Sequence, residues 1–361
     1  MNIYNYIDNY SMKTFDEYPF NDIDAVLFSF ISYVDYGKIV EDKKILLTDV
    51  GRMHFGLHNK EEKNIIAVRD ATNLLNYIKD TNRYKNCYLY NYVYDIKNDI
   101  QFSAICIEYQ KNKVYVSYEG TNALISGWKE NFVLSYSFPT LSHIKAIEYL
   151  NKHFTFSRKE LILGGHSKGG NLALVAGMKA NFLVRSKIKE IYNIDGPGLL
   201  DKEYKSKSYQ RILHKYKQIL PDNSLVGIIM NSSNRKVIQT SIVGPLAHDI
   251  LYWNIEKDHF IPSKLSEYSK ELSIALKKYQ KKHTKEEIEK AIQDIYSVIV
   301  ESNIIELQDL KSFNNIKSLI TNSKKLDDNS RTLFLELIGT FIKSLGSTIY
   351  NRFQLLTIIK K

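Results

Sequence analysis

The pentapeptide Gly165-His166-Ser167-Lys168-Gly169 sits between an apolar run, ELIL, and a stretch rich in small residues, NLALVAGMKA. The first reads as a strand and the second as a helix, so the chain must bend sharply around one serine. A G-x-S-x-G bend of this kind holds its serine in a strained backbone conformation and lifts the hydroxyl clear of competing contacts. The flanking glycines leave room for strand and helix to approach closely. The helix start turns its N–H groups and positive dipole end toward the place where an oxyanion would form. A glycine-rich strand–helix turn can instead cradle a phosphate. That use calls for G-x-G-x-x-G or a G-K-[ST] ending, and the segment has neither. The pattern therefore predicts Ser167 as a nucleophile, with the backbone N–H of Lys168 as one oxyanion donor.

The surroundings of this bend point to the fold. From about residue 142 helix and strand patterns alternate: SHIKAIEYLNKHF, ELILGGH, NLALVAGMKANFLV, EIYNID, a helix near 202–215, then strands at YKQIL and RKVIQTSIV. Such alternation marks a parallel sheet with crossover helices. Upstream, FNDIDAVLFSFISYVDY has helical spacing, ILLTDV reads as a short strand, and residues 61–84 read as a long helix. CYLYNYVYDI, FSAICIEY and KVYVSYEG are rich in aromatic and β-branched residues and read as strands, the last two joined as a hairpin through QKNK. Past residue 263 every segment has i, i+3, i+4 apolar spacing. The expected class is α/β, an α/β-hydrolase fold with a mostly parallel sheet flanked by helices. Residues 1–262 would form that domain. Residues 263–361 would form a helical region serving as a cap, a bundle or an oligomerisation element, which makes a homo-oligomer one expected assembly.

Charge excludes little. The 361 residues carry a formal net charge of +10, which admits nucleic acid, anionic membrane or acidic substrate as partners. Lysines and acids are interspersed, however, and the densest cluster, KKYQKKHTKEEIEK at 277–290, alternates in sign within two turns. That is the pattern of a solvated helix surface, and no nucleic-acid partner is expected. Cys87 and Cys106 lie in strand-like runs and behave as small core hydrophobes, with no disulfide framework or metal spacing. The N-terminus lacks a basic segment followed by an apolar one. TLFLELIGTFIKSLGSTIY carries Glu336 and Lys343 and is too interrupted to cross a bilayer. A cytoplasmic location is the expectation.

A serine nucleophile needs a histidine within reach and a carboxylate to hold its tautomer, in the chain order nucleophile, acid, base on this fold. His214, His248 and His259 follow Ser167. His214 falls in a helix pattern and reads as surface. His248, in GPLAHDILYW, comes just after the last strand, where the base belongs; His259 is second. For the acid, Asp222 follows YKQIL, the next strand but one after the serine, and is favoured. Asp195, at the end of EIYNID, is the alternative, unless its carboxylate only closes its own glycine-proline turn. Asp249 would point away from the base. No metal or cofactor is called for.

GGHSKGGNLAL, together with VYVSYEGTNALISGWKENF upstream and IYNIDGPGLL downstream, resembles the class 3 lipases. It resembles more closely the Mbeg-like proteins, lipase-like α/β-hydrolases long filed as a domain of unknown function. The likeness runs over residues 12–260 and leaves out the C-terminal hundred. It implies a serine hydrolase acting on a small-molecule or lipid ester, with Thr121 of the strand-end EGT as the second oxyanion donor. It also implies a His-Asp-then-Trp arrangement at His248, and a buried tryptophan at Trp128. The class 3 lipases usually carry arginine where Glu119 stands and leucine where Lys168 stands. Those two departures weaken a transfer of triglyceride specificity, and they motivate a second expectation, a catalytically silent scaffold used for binding.

Overall fold

The computed structural model describes residues 1–40, 43–57, 66–97, 100–121, 133–302, 304 and 312–344. Eight strands form one sheet in sequence order: β1 (Ile45–Leu46), β2 (Tyr88–Lys97), β3 (Ile100–Gln110), β4 (Lys113–Tyr118), β5 (Glu160–His166), β6 (Ile188–Ile194), β7 (Tyr216–Pro221) and β8 (Arg235–Ile238). The first three pairings are antiparallel and β4 to β8 are parallel. The longer helices are α1 (Ile3–Tyr10), α2 (Asp22–Phe30), α3 (Leu47–Leu57), α4 (Ile66–Ile78), α5 (Leu141–Phe154), α6 (Lys168–Lys179), α7 (Lys207–Ile212), α8 (Glu267–Lys282), α9 (Lys285–Glu301), α10 (Phe313–Asn322) and α11 (Asp328–Ser344).

Strand periodicity sorts the core into two layers. Ala104, Cys106, Val114, Val116, Leu161 and Leu163 face α5, α6 and α7, the crossover helices, which share one side as right-handed parallel connections require. Ile105, Ile107, Tyr115 and Ile162 face the other way, onto α1, α2, α3 and α4 and onto the segment bearing Ile250, Trp253, Ile255 and Phe260. The α/β-hydrolase architecture read from the sequence is the architecture found. Both cysteines are buried and unpaired. Among the described residues no helix is long and apolar enough to cross a membrane.

Two segments differ from their sequence reading. Only Ile45 and Leu46 of ILLTDV pair as a strand, because Leu47 starts α3, with Leu47 and Val50 buried one turn apart and Asp49 in the favourable first turn. The helix expected over 61–84 is a helix from Ile66 to Ile78, its first expected residues lying outside those described. Past 263, α9, α10 and α11 build their own core from Ile295, Val298, Ile316, Leu319, Leu333 and Phe334. α8 packs Tyr279 against that core and also rests on the sheet domain through Leu272 against Leu220 and Ile228. The 277–290 charge cluster spans the break between α8 and α9, where Thr284 caps α9 in a capping box with Glu287.

One buried ion pair bolts α2 to the turn that leads from α4 into β2. Arg83 donates Nε–H to Asp24 Oδ1 at 2.9 Å and Nη2–H to Oδ2 at 2.6 Å, with both side chains fully buried. Tyr84 O–H donates to the same carboxylate at 2.8 Å, and Arg83 Nη1–H reaches the Tyr18 carbonyl at 3.0 Å. Arg83→Leu leaves Asp24 buried and short of its cation. Denaturant unfolding of that variant should show a loss of about 3–5 kcal/mol.

Candidate active site

The bend between β5 and α6 brings three backbones together. A Cβ on Gly169 would lie 2.0 Å from the Tyr118 carbonyl oxygen at the end of β4, and one on Gly165 2.4 Å from both that oxygen and the Gly169 carbonyl carbon. No side chain fits either place, which accounts for both glycines of the pentapeptide. Between them Ser167 stands at φ 57° and ψ −129°, a conformation costly for any residue but glycine. Its N–H donates to the Ile194 carbonyl at 2.8 Å, tying the bend to β6. Ser167 is 6% exposed.

The segment after β8 folds back over this bend. Pro245–His248 forms a short 3-10 turn, anchored by the fully buried Trp253, whose indole N–H donates to the Ala247 carbonyl at 2.9 Å. His248 stands partly exposed at the end of that turn, its ring centroid 4.3 Å from that of His166, the residue before the serine. The tautomer of His166 follows from its partners. His166 Nε2 lies 2.9 Å from the His248 carbonyl, which only accepts, so Nε2 carries the proton. Nδ1 then accepts from Tyr33 O–H at 3.0 Å. Burial, with His248 adding to it, holds His166 well below the usual histidine range, and burial raises Tyr33 so that its proton stays. A neutral ring thus pins the main chain of His248.

His248 Nδ1 meets Asp195 Oδ2 at 2.6 Å. The Asp195 carboxylate is fully buried, and its other oxygen accepts Ser224 Oγ–H at 2.5 Å and Gly227 N–H at 3.0 Å, both from the β7–β8 connection. The glycine-proline turn that Asp195 might have closed is closed by its neighbour, Asn193 Oδ1 accepting Gly196 N–H at 2.8 Å. Asn171 of α6 adds Nδ2–H to the Gly198 carbonyl at 2.7 Å.

The favoured acid, Asp222, is not the carboxylate found beside His248. Its oxygens accept Thr240 Oγ1–H at 2.7 Å and Ser263 Oγ–H at 3.2 Å, and its carbonyl accepts Ser266 N–H at 2.8 Å. Asp222 therefore staples β7 to β8 and to the start of α8. The difference is topological: the carboxylate that meets His248 lies at the end of β6, immediately beside the serine strand, not at the end of β7. His259 is half-exposed beside Asp258, and His214 is exposed. Asp249 caps the next 3-10 turn by accepting Leu251 N–H at 2.9 Å, away from the His248 ring. Trp128 lies outside the described residues. Thr121 follows Gly120, where a Cβ would come within 3.1 Å of Ser167 Cβ, so the end of β4 abuts the serine.

Beneath this point two buried charged residues flank the bend. Lys168 Nζ–H donates to the Gln101 carbonyl at 2.7 Å, and Gln101 Nε2–H reaches Glu119 Oε1 at 3.3 Å. Burial pushes the Glu119 carboxyl up to about 7, against the opposing pull of the Lys168 ammonium. Sequence reasoning noticed the side chains of Glu119 and Lys168 only as departures from a family pattern. It passed over Tyr33, Asn171, Asn193, Ser224 and Gly227, whose roles depend on contacts between distant segments.

Two outcomes follow from this geometry. Ser167→Gly removes the strain at φ 57°, worth about 1–3 kcal/mol, less the extra freedom of an unfolded glycine. The variant should unfold roughly 1 kcal/mol higher than wild type in denaturant, whereas Ser167→Ala keeps the strain and should not gain. The raised Glu119 makes the folded chain hold more protons than the unfolded one between 4.5 and about 7. Stability from this group is therefore full below 4.5 and falls as pH rises through that window, by about 3 kcal/mol in all. Glu119→Gln should flatten that part of the stability–pH curve, read by urea unfolding at a series of pH values.

A family model described as Mbeg1-like matches residues 78–297. The match starts later than the resemblance read from the sequence and runs on through α8 into α9, taking in Ser167, Asp195 and His248. Among solved structures, the crystal structure of M37 lipase is similar at 14% identity and a TM-score of 0.37, over 70% of this chain and 78% of that one. No curated protein matches the chain. With well over half of its length matched, the chain belongs to the Mbeg1-like family.

Proposed function

We propose that the protein is a serine hydrolase that cleaves an ester-like bond, a carboxylester or lipid ester, by acyl transfer through Ser167. The observation that carries this reading is the 2.6 Å contact of His248 Nδ1 with the buried Asp195 carboxylate, the His248 ring lying 4.3 Å from that of His166, the residue before a strained serine at a strand–helix bend. A neutral histidine that donates Nδ1–H to a carboxylate keeps its lone pair on Nε2.

In the proposed reaction Nε2 of His248 takes the hydroxyl proton as Ser167 Oγ bonds to the acyl carbon. The carbonyl π electrons move to oxygen, and the N–H groups of Lys168 and Thr121 hold that oxyanion. When the carbonyl reforms, the bond to the leaving alcohol breaks, and the imidazolium gives that alcohol its proton. Water then attacks the acyl-enzyme, losing its proton to the same ring, and the acid product departs as Ser167 regains a hydrogen. Asp195 stabilises the imidazolium and holds its orientation; Asp222 has a bracing role only. The sequence needs no metal or cofactor.

A fluorophosphonate probe and a panel of soluble nitrophenyl esters test the reading. Wild type should label and hydrolyse, and Ser167→Ala should do neither. Asp195→Asn should cut the rate by about 10⁴-fold with the fold intact, since the amide favours the wrong tautomer. Asp222→Asn should stay within about threefold in rate while losing about 1 kcal/mol of stability. The reverse ranking of the two aspartates would reject Asp195 as the acid. The buried Glu119 beside the bend is what favours the other reading, a silent scaffold, and a wild type that never labels would bear that out.

A further inference from the structure

At the end of the sheet opposite Ser167, two turns hold out side chains that a folded protein normally hides. Phe156, in the turn leading into β5, is 94% exposed; Phe182, in the turn leading into β6, is 72% exposed, and Leu183 beside it 48%. Single exposed apolar residues are ordinary. These three are held in one rigid unit. Thr155 N–H donates to the Asn151 carbonyl and Ser157 N–H to the Phe154 carbonyl, each at 3.2 Å. Asn181 caps the second turn, its Oδ1 accepting Val184 N–H at 3.0 Å. The same Asn181 donates N–H to Asn151 Oδ1 at 2.9 Å and Nδ2–H to Thr155 Oγ1 at 2.7 Å, which joins the two turns. Lys187 Nζ adds bonds to the Phe154 and Thr155 carbonyls at 2.7 and 2.9 Å.

The rim of this platform is positive. Residues 152–160 and 179–189 carry seven lysines and arginines against one acidic residue, Glu160. Glu160 pairs with Lys189 at 3.1 Å, and the neighbouring Glu108 is taken up by Lys44 and Lys159. Arg185 is lowered by burial and then by the charge of Arg211, and the cations here outnumber the acids that pair with them.

We propose that this platform docks the protein on an anionic lipid surface. Phe156, Phe182 and Leu183 enter the headgroup boundary, and Lys152, Arg158 and Arg185 meet the lipid phosphates and carboxylates. Charge selects this occupant over a second copy of the same face, because an isologous pair would set the same cations against one another. β5 is seven residues long, or about 23 Å at ~3.3 Å per residue, so the docked protein turns Ser167 away from the bilayer. Docking thus places the protein without presenting membrane lipid to the serine, and it does not depend on the acyl-transfer reading.

Vesicle flotation of the full chain tests this. Wild type should float with phosphatidylcholine–phosphatidylserine vesicles at a roughly 7:3 ratio and stay behind with phosphatidylcholine alone. Binding should fall as salt rises from about 0.1 to 0.5 M. The triple variant Phe156→Ser, Phe182→Ser, Leu183→Ser and the charge variant Lys152→Glu, Arg158→Glu should each bind at least about tenfold more weakly. Since all five side chains project into solvent, both variants should melt within about 3 °C of wild type. Ser167→Ala should float like wild type, and the triple variant should turn over soluble esters like wild type. Equal binding to neutral vesicles, undiminished binding of both variants, or no flotation at all would overturn the proposal. So would a dimer in sedimentation that the triple variant abolishes, which would give the face to a second copy. A wild type that floats but never labels with fluorophosphonate removes the hydrolase reading and leaves the docking intact.

Discussion

The site hangs on the closeness of backbones around the β5–α6 bend. Tyr118 at the end of β4 lies against Gly169 at 2.0 Å from where a Cβ would be, and Ser167 N–H is drawn to Ile194 of β6. The bend is therefore held between two neighbouring strands, and the layers of Val114, Val116, Leu161 and Leu163 against α5 and α6 are what keep it closed. A residue at φ 57° persists only where its surroundings over-determine it. Here the over-determination comes from packing of main chain, which explains why a serine can occupy a place that suits glycine.

The same logic continues outward from the serine. His248 sits on a short turn that by itself has little to hold it. Trp253 anchors the turn from below, His166 grips the His248 carbonyl, and Asp195 takes its Nδ1. Because His166 is neutral, the ring tilted against that of His248 adds no positive charge beside it. An imidazolium at His248 would meet a dipole there in place of a like charge. Asp195 in turn is held by Ser224 and Gly227, so this chain of contacts runs through four loops at the carboxyl ends of β5 to β8.

What the sequence disclosed, and what it withheld, divides along the range of the interactions. The strand–bend–helix around Ser167, the β3–β4 hairpin and the parallel series after residue 142 are local patterns of period and turn chemistry, and they were legible. Ser167 and His248 could be picked by position along that series. The choice between Asp195 and Asp222 could not, since both end apolar strands and both precede turn residues. Which of the two meets His248 depends on which loop passes over the bend, a property of three-dimensional packing. Tyr33 lies more than a hundred residues before His166 and nothing in its local sequence marks it. Leu47 to Val50 depart from their strand reading for the same reason: LLTDV has strand-like composition, and only burial of Leu47 and Val50 against the N-terminal layer makes it helical.

Parallel connections give such a sheet two unlike ends. At the carboxyl ends of the strands, helix starts and loops converge, and the polar groups found there are bonded to one another: Asp195 to His248, Asn171 to Gly198, Asn193 to Gly196. At the amino ends the turns at 154–160 and 180–187 need only return the chain to the next strand. Their own polar groups are satisfied by Asn151, Asn181 and Lys187, which frees Phe156, Phe182 and Leu183 from any structural duty. A surface that needs only polar turns to close, yet keeps three large apolar side chains in the open on a rigid base, has been shaped by something outside the fold.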